Sequence, residues 1–129
     1  RHRRDRAERV PRMRSVEEPH ALVQAIGQHS RPQTLIVVDC LTLWLTALLM
    51  PAAGAAPQGL PHTFASAVGA CAGPLVLISN EIGMGVVPMG RDVRGFVDAL
   101  GTLNQEAAAA CERVTLMSAG LPLVLKGSS

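Results

Sequence analysis

At 129 residues with 48% hydrophobic content, the chain suits a single domain with a substantial core. Aromatic residues are only 2%, so that core must be built from Val, Leu, Ile, Ala and Met, and there is no array of rings on which nucleic-acid bases would stack. A charged fraction of 17% and a formal net charge of +2 exclude a disordered polyelectrolyte and specify no acidic or basic partner.

The amino-terminal end is strongly basic: Arg1, Arg3, Arg4, Arg6, Arg9, Arg12 and Arg14 crowd together, whereas the only lysine is Lys126. No apolar stretch follows these arginines, so no secretory leader is expected at this end. Residues 1–9 lack Gly and Pro and read as the end of a helix stopped by Pro11. Ser15 with Glu18 three residues on has the form of a capping box. Ala21, Leu22, Ala25 and Ile26 then give a helical apolar stripe up to Gly27. Residues 31–33 read as a turn. Residues 34–39 are a continuous apolar run ending in an acid, which predicts a parallel strand buried on both faces. A short helix is expected over 41–50, with Trp44 in its core. The apolar run 35–50 contains Asp39 and ends at Pro51, so it reads as strand plus helix and not as a membrane span.

Residues 51–61, rich in Ala, Gly and Pro, read as a loop, followed by a helix over 62–72. Residues 74–79 repeat the buried-strand pattern. Three glycines and Pro88 make 80–90 a long loop. The longest helix is expected over 91–113, with Phe96, Leu100, Leu103 and Ala107 on one side. Strands at 114–118 and 121–125 flank Ala119-Gly120. Strands alternating with helices predict one α/β domain over 1–129 with a mainly parallel sheet. Ligands bind such sheets outside the carboxyl ends of the strands, where Asp39 and Asn80-Glu81 fall. Cys40, Cys71 and Cys111 form no metal-type spacing, and Cys71 and Cys111 read as small buried residues. An odd count of three cysteines with no Cys-x-x-Cys suits a reducing, cytoplasmic compartment.

Three features carry possible chemistry. Asp39, directly after an apolar strand, suits a Mg²⁺ site beside nucleotide phosphates, held directly or through water; it equally suits the N-cap of the helix that follows. The sequence contains no Gly-x-x-x-x-Gly-Lys-Ser/Thr phosphate loop, which that chemistry ordinarily needs. His2 and Arg6 lie four apart and share a helix face. A neutral imidazole is a competent nucleophile toward a nucleotide α-phosphate, with Arg3, Arg4 and Arg6 to offset developing charge; a histidine beside a chain end also suits simple exposure. Glu81 at a strand end suits orientation of a substrate hydroxyl or metal-bound water, and the glycine loop around it is also compatible with a purely structural role.

Several segments together resemble one family. They are Val38-Asp-Cys-Leu-Thr-Leu-Trp-Leu45, Ser79-Asn-Glu-Ile-Gly-Met-Gly-Val-Val-Pro88, the helix bearing Arg91, Arg94, Phe96, Asp98, Gly101, Leu103, Asn104 and Gln105, and the ending Ala119-Gly-Leu-Pro-Leu-Val-Leu-Lys-Gly127. The chain resembles the bifunctional adenosylcobinamide kinase/adenosylcobinamide-phosphate guanylyltransferases of cobalamin biosynthesis, in order and along nearly its whole length. The resemblance implies a P-loop NTPase fold of the RecA-like kind, from which the amino-terminal phosphate-loop segment is lacking here. It implies phosphorylation of adenosylcobinamide, then transfer of GMP from GTP to adenosylcobinamide phosphate through a GMP–histidine intermediate. It implies ATP, GTP and Mg²⁺ as nucleotides and metal, and a homotrimer.

By the same resemblance His2 is the nucleophile, and Arg3, Arg4, Asp5 and Arg6 contact the nucleotide, with Arg9 an alternative to Arg6 because the spacer before Met13 is slightly long. Glu17 matches a further GTP-contacting acid, and Asp39 the acidic strand residue. Met13 stands where the family usually has Trp, and Thr102 where the long helix often has Arg. Two other readings predict different behaviour: a non-catalytic α/β binding domain with a basic amino-terminal arm, whose binding would be steeply salt-dependent, or an inactive remnant that exposes a sheet face or edge.

Overall fold

A computed structural model describes residues 13–18, 20–49, 59–82 and 91–127, with the side chains of 91–93 outside that description. Helix α1 (Leu22–His29) leads into β1 (Ile36–Asp39) and α2 (Leu41–Leu49); α3 (Leu60–Gly69) leads into β2 (Leu75–Ile78) and α4 (Arg91–Ala110); β3 (Val114–Ser118) and β4 (Leu121–Lys126) close the chain. The expected helix over residues 1–9 lies outside the described residues.

Strands β1 and β2 pair in parallel, in a register running from Ile36 opposite Leu75 to Asp39 opposite Ile78. Their amino ends are stitched together. The Ile36 N–H donates to the Pro74 carbonyl at 3.0 Å, and the Ala72 N–H donates to Ser30 Oγ at 2.7 Å. Gly73 is required at this junction, because a Cβ there would run into the Arg31 carbonyl.

The core lies between the strand pair and the helices. Ile26, Val38, Leu41, Trp44, Leu45, Leu60, Phe64, Leu100, Leu103 and Ala107 form one buried cluster. Trp44 and Phe64, two of the chain's few aromatics, meet with ring centroids 5.2 Å apart and planes tilted by 40°. The α4 stripe is as expected: Leu100, Leu103 and Ala107 are buried and Phe96 packs against them.

Several expectations are corrected. Helix α1 begins at Leu22, with Ala21 and not Ser15 at its N-cap. A proline at 19 biases the preceding residue away from helical backbone. Glu18 still serves the entry, its Oε2 accepting from the N–H groups of His20 and Ala21. Helix α3 starts at Leu60 and takes Pro61 into its first turn, where a missing N–H costs nothing. Helix α4 ends at Ala110, before the charged pair Glu112-Arg113.

The strands are not buried on both faces. Val38 is buried, but Val37, Val76 and Ile78 are 40%, 46% and 42% exposed, so one face of the pair is open and apolar. Nor do the four strands join one mainly parallel sheet: among the described residues there are two separate two-stranded sheets, and β3 pairs antiparallel with β4. A two-residue connection permits only a hairpin. Its turn has positive φ at both Ala119 (54°) and Gly120 (75°), as a type I′ turn requires. All of β4 is exposed, Leu121, Leu123 and Leu125 included.

Lys126 ties the hairpin to α4, its Nζ donating to the carbonyls of Ala108 at 2.9 Å and Ala109 at 3.1 Å. A cation at a helix carboxyl end also meets the negative pole of the helix dipole. Cys111, beside this contact, is half-buried, as is Cys71, which packs against the core cluster. Desolvation pushes the Cys111 thiol pKa up, and the Lys126 ammonium partly opposes that.

Two outcomes follow from this packing. Phe64 has no exposed surface, so Phe64→Ala should cost about 3–5 kcal/mol in urea unfolding, against about 0.5 kcal/mol or less for Val76→Thr on the open face. In peptide-resolved iodoacetamide labelling, Cys111 should need a higher pH than an ordinary thiol of about 8.5. Lys126→Met should move that midpoint higher still; a midpoint at or below the ordinary value would show that burial does not control this thiol.

Candidate functional site

The parallel pairing carries the acid of β1 and the residues after β2 to one end of the sheet. Asp39 is the last residue of β1 and stands in register with Ile78, the last of β2; Ser79, Asn80 and Glu81 follow directly. Asp39 is exposed, and its carboxylate enters no side-chain hydrogen bond among the described residues. The alternative of an N-cap is therefore not realised: α2 opens at Leu41, and the Trp44 N–H is taken by the Cys40 carbonyl at 3.3 Å.

A set of side-chain contacts binds this end together. Thr42 Oγ1, in the first turn of α2, donates to Asn80 Oδ1 at 2.7 Å. Ser79 Oγ donates to Asn104 Oδ1 at 2.6 Å. Asn104 Nδ2 donates to the Asn80 carbonyl at 3.0 Å. Two helices, α2 and α4, thus converge on the two residues that leave β2. Asn80 and Glu81 are exposed beside them, as is Asp39.

Of the expected site residues, the structure brings Asp39, Asn80 and Glu81 to one strand-end region. Glu17 is exposed in a segment without regular structure before α1. That segment is anchored to the core just beyond, where Trp44 Nε1 donates to the His20 carbonyl at 3.0 Å. His2, Arg3, Arg4, Asp5 and Arg6 lie outside the described residues, as do Arg9 and residues 83–90 of the glycine loop. Reasoning from sequence missed the roles of Thr42, Ser79 and Asn104 as ties. The available signal was Asn104 itself: an Asn inside a long helix, next to a buried Leu, is a poor helix former and so calls for a polar contact.

The donor chemistry suits a hard cation at Asp39. Magnesium is commonly held by one or two carboxylates with water and substrate phosphates completing its shell, so an exposed carboxylate at a strand end, as Asp39 is, suits that chemistry. Among the described residues no group of three His, Cys, Asp or Glu side chains forms a closed metal site. Lys126, the single lysine, is engaged at the end of α4. A cavity of about 240 Å³ among α2, α3 and α4 is lined by Leu45, Leu49, Leu60 and Leu103, and its one hydroxyl, on Thr102, is bonded to the Asp98 carbonyl at 3.0 Å. It holds no group suited to catalysis. No described helix is long and apolar enough to cross a membrane.

These features define an α/β chain with a cluster of polar side chains at the carboxyl ends of a parallel strand pair. Residues 1–125 match the family described as cobinamide kinase / cobinamide phosphate guanyltransferase. The chain is 43% identical over 122 residues to the bifunctional adenosylcobalamin biosynthesis protein CobP of Pseudomonas aeruginosa, covering 95% of this chain and 70% of that relative. It is 32% identical over 126 residues to the bifunctional adenosylcobalamin biosynthesis protein CobU of Escherichia coli, covering 88% and 70% respectively. With the Salmonella typhimurium protein of the same name it shares 32% over 108 residues, covering 74% and 60%. The chain belongs to the cobinamide kinase / cobinamide phosphate guanyltransferase family.

The ties at the strand ends are open to direct test. Thr42→Val and Asn80→Ala should each cost about 1 kcal/mol in urea unfolding. The double variant should cost clearly less than the sum, because the two groups share one hydrogen bond; strict additivity would show that the bond does not form in solution.

Proposed function

We propose that this chain serves cobalamin biosynthesis as a guanylyltransferase acting on adenosylcobinamide phosphate, within a P-loop type of nucleotide fold. The observation that carries the reading is the family match over residues 1–125. The gathering of Asp39, Asn80 and Glu81 at one strand-end region supports it.

In this reading the neutral imidazole of His2 attacks the α-phosphorus of GTP. The bond from that phosphorus to the bridging oxygen breaks, pyrophosphate departs, and a GMP–histidine phosphoramidate remains. A phosphate oxygen of adenosylcobinamide phosphate then attacks the same phosphorus and frees His2. Arg3, Arg4 and Arg6 offset charge on the phosphorus oxygens, with Arg9 the alternative to Arg6. Asp5 and Glu17 contact the nucleotide, and Asn80 and Glu81 face the corrinoid substrate. Asp39 would hold Mg²⁺, directly or through water, and the ion would neutralise part of the triphosphate charge.

The partner activity, phosphorylation of adenosylcobinamide by ATP or GTP, calls for a lysine-bearing phosphate loop that does not occur in this sequence. His2, the nucleophile proposed for transfer of GMP, is among the residues of this chain. A cytoplasmic setting and assembly as a homotrimer belong to the same proposal.

Incubation with α-labelled GTP and Mg²⁺ should leave acid-labile label on the protein, and His2→Ala should abolish it. Retention of label in His2→Ala would overturn the assignment of the nucleophile. Asp39→Asn should lower the apparent Mg²⁺ affinity of labelling about 10- to 100-fold, with rescue at high Mg²⁺.

A further inference from the structure

Asn104 sits in the middle of α4, yet its side chain serves the end of β2. Oδ1 accepts from Ser79 Oγ at 2.6 Å, and Nδ2 donates to the Asn80 carbonyl at 3.0 Å. These partners dictate the amide's orientation. Reversed, Oδ1 would face the carbonyl oxygen of Asn80, acceptor against acceptor. They also dictate the residue type, because an Asp would set a carboxylate against that carbonyl and a Leu would offer neither bond.

The other side of Asn80 is held as well, through Oδ1, which accepts from Thr42 Oγ1 at 2.7 Å. Asn80 is thus gripped from α4 through its backbone and from α2 through its side chain. Ile78, two residues earlier, is in register with Asp39. The direction in which the chain leaves β2, and so the placing of Glu81 relative to Asp39, depends on this grip.

We infer that Asn104 is a positioning residue that holds Asn80 and Glu81 in place for guanylyl transfer. The inference rests on the proposed function. It contacts no substrate itself: it acts through Asn80, and a displacement of about 1 Å at such a residue costs on the order of 100-fold in rate.

The test compares the wild-type protein with Asn104→Ala and the near-isosteric Asn104→Leu. Amide hydrogen exchange should speed up at Asn80, Glu81 and Ile82 in both variants while Leu75 to Ile78 keep their protection. In steady-state transfer from GTP to adenosylcobinamide phosphate, kcat should fall about 10- to 100-fold with KM for GTP little changed. Unchanged exchange at Asn80 to Ile82 would overturn the inference whatever the activity. So would an unchanged kcat, or a loss of kcat that follows the folded fraction in a thermal melt. If the wild-type protein transfers no GMP, the proposed function falls, and the exchange comparison alone then decides whether the grip exists.

Discussion

Parallel pairing obliges a chain to travel the length of the sheet before it can add the next strand. Here the return runs from Asp39 to Leu75, by way of α2 and α3, and the ladder of Ile36 to Asp39 on Leu75 to Ile78 is its result. That ladder brings two segments far apart in sequence to one end of the sheet. At the opposite end the bonds from Ile36 to Pro74 and from Ala72 to Ser30 lock the register, and the absence of a side chain at Gly73 lets the two turns meet. A slip by one residue would exchange the faces of β1 and turn buried Val38 outward.

The same packing explains why the polar contacts collect where they do. Leu100, Leu103 and Ala107 seat α4 on the core. Successive residues on a helix point about 100° apart, so seating Leu103 inward directs its neighbour Asn104 sideways, to the end of β2. The apolar stripe therefore aims a polar side chain at Ser79 and Asn80. Thr42 is placed by comparable means, one position after buried Leu41 and two before buried Trp44. Stability and site geometry draw on the same few residues.

Much of this was legible beforehand. Apolar runs ending in Asp39 and before Asn80 marked the strands, because continuous Val, Leu and Ile outside a helical period suit a pleated ladder. The α4 stripe and the place of Trp44 followed from spacing. The family resemblance lay in Asn80-Glu-Ile-Gly-Met-Gly85 and in the Leu103-Asn-Gln105 that follows. Other features were not legible for identifiable reasons. A continuous apolar run says that a strand tolerates burial on both faces, not that layers exist to bury both, and Val37, Val76 and Ile78 lie open. Ser15 and Glu18 had the spacing of a capping box, but the proline after Glu18 was a stronger local constraint.

By itself the sequence determined most of the strand and helix content among the described residues and the polar residue types that stand at the strand ends. These depend on local backbone preference and on side-chain period, which a linear chain displays. The tertiary structure decided which of those residues meet. Asp39 opposite Ile78, Thr42 on Asn80, and Asn104 across Ser79 and Asn80 join positions up to 39 residues apart. No local rule pairs them, because the crossover length, the strand register and the rotation of α4 on its core must all be set before those atoms come within bonding distance.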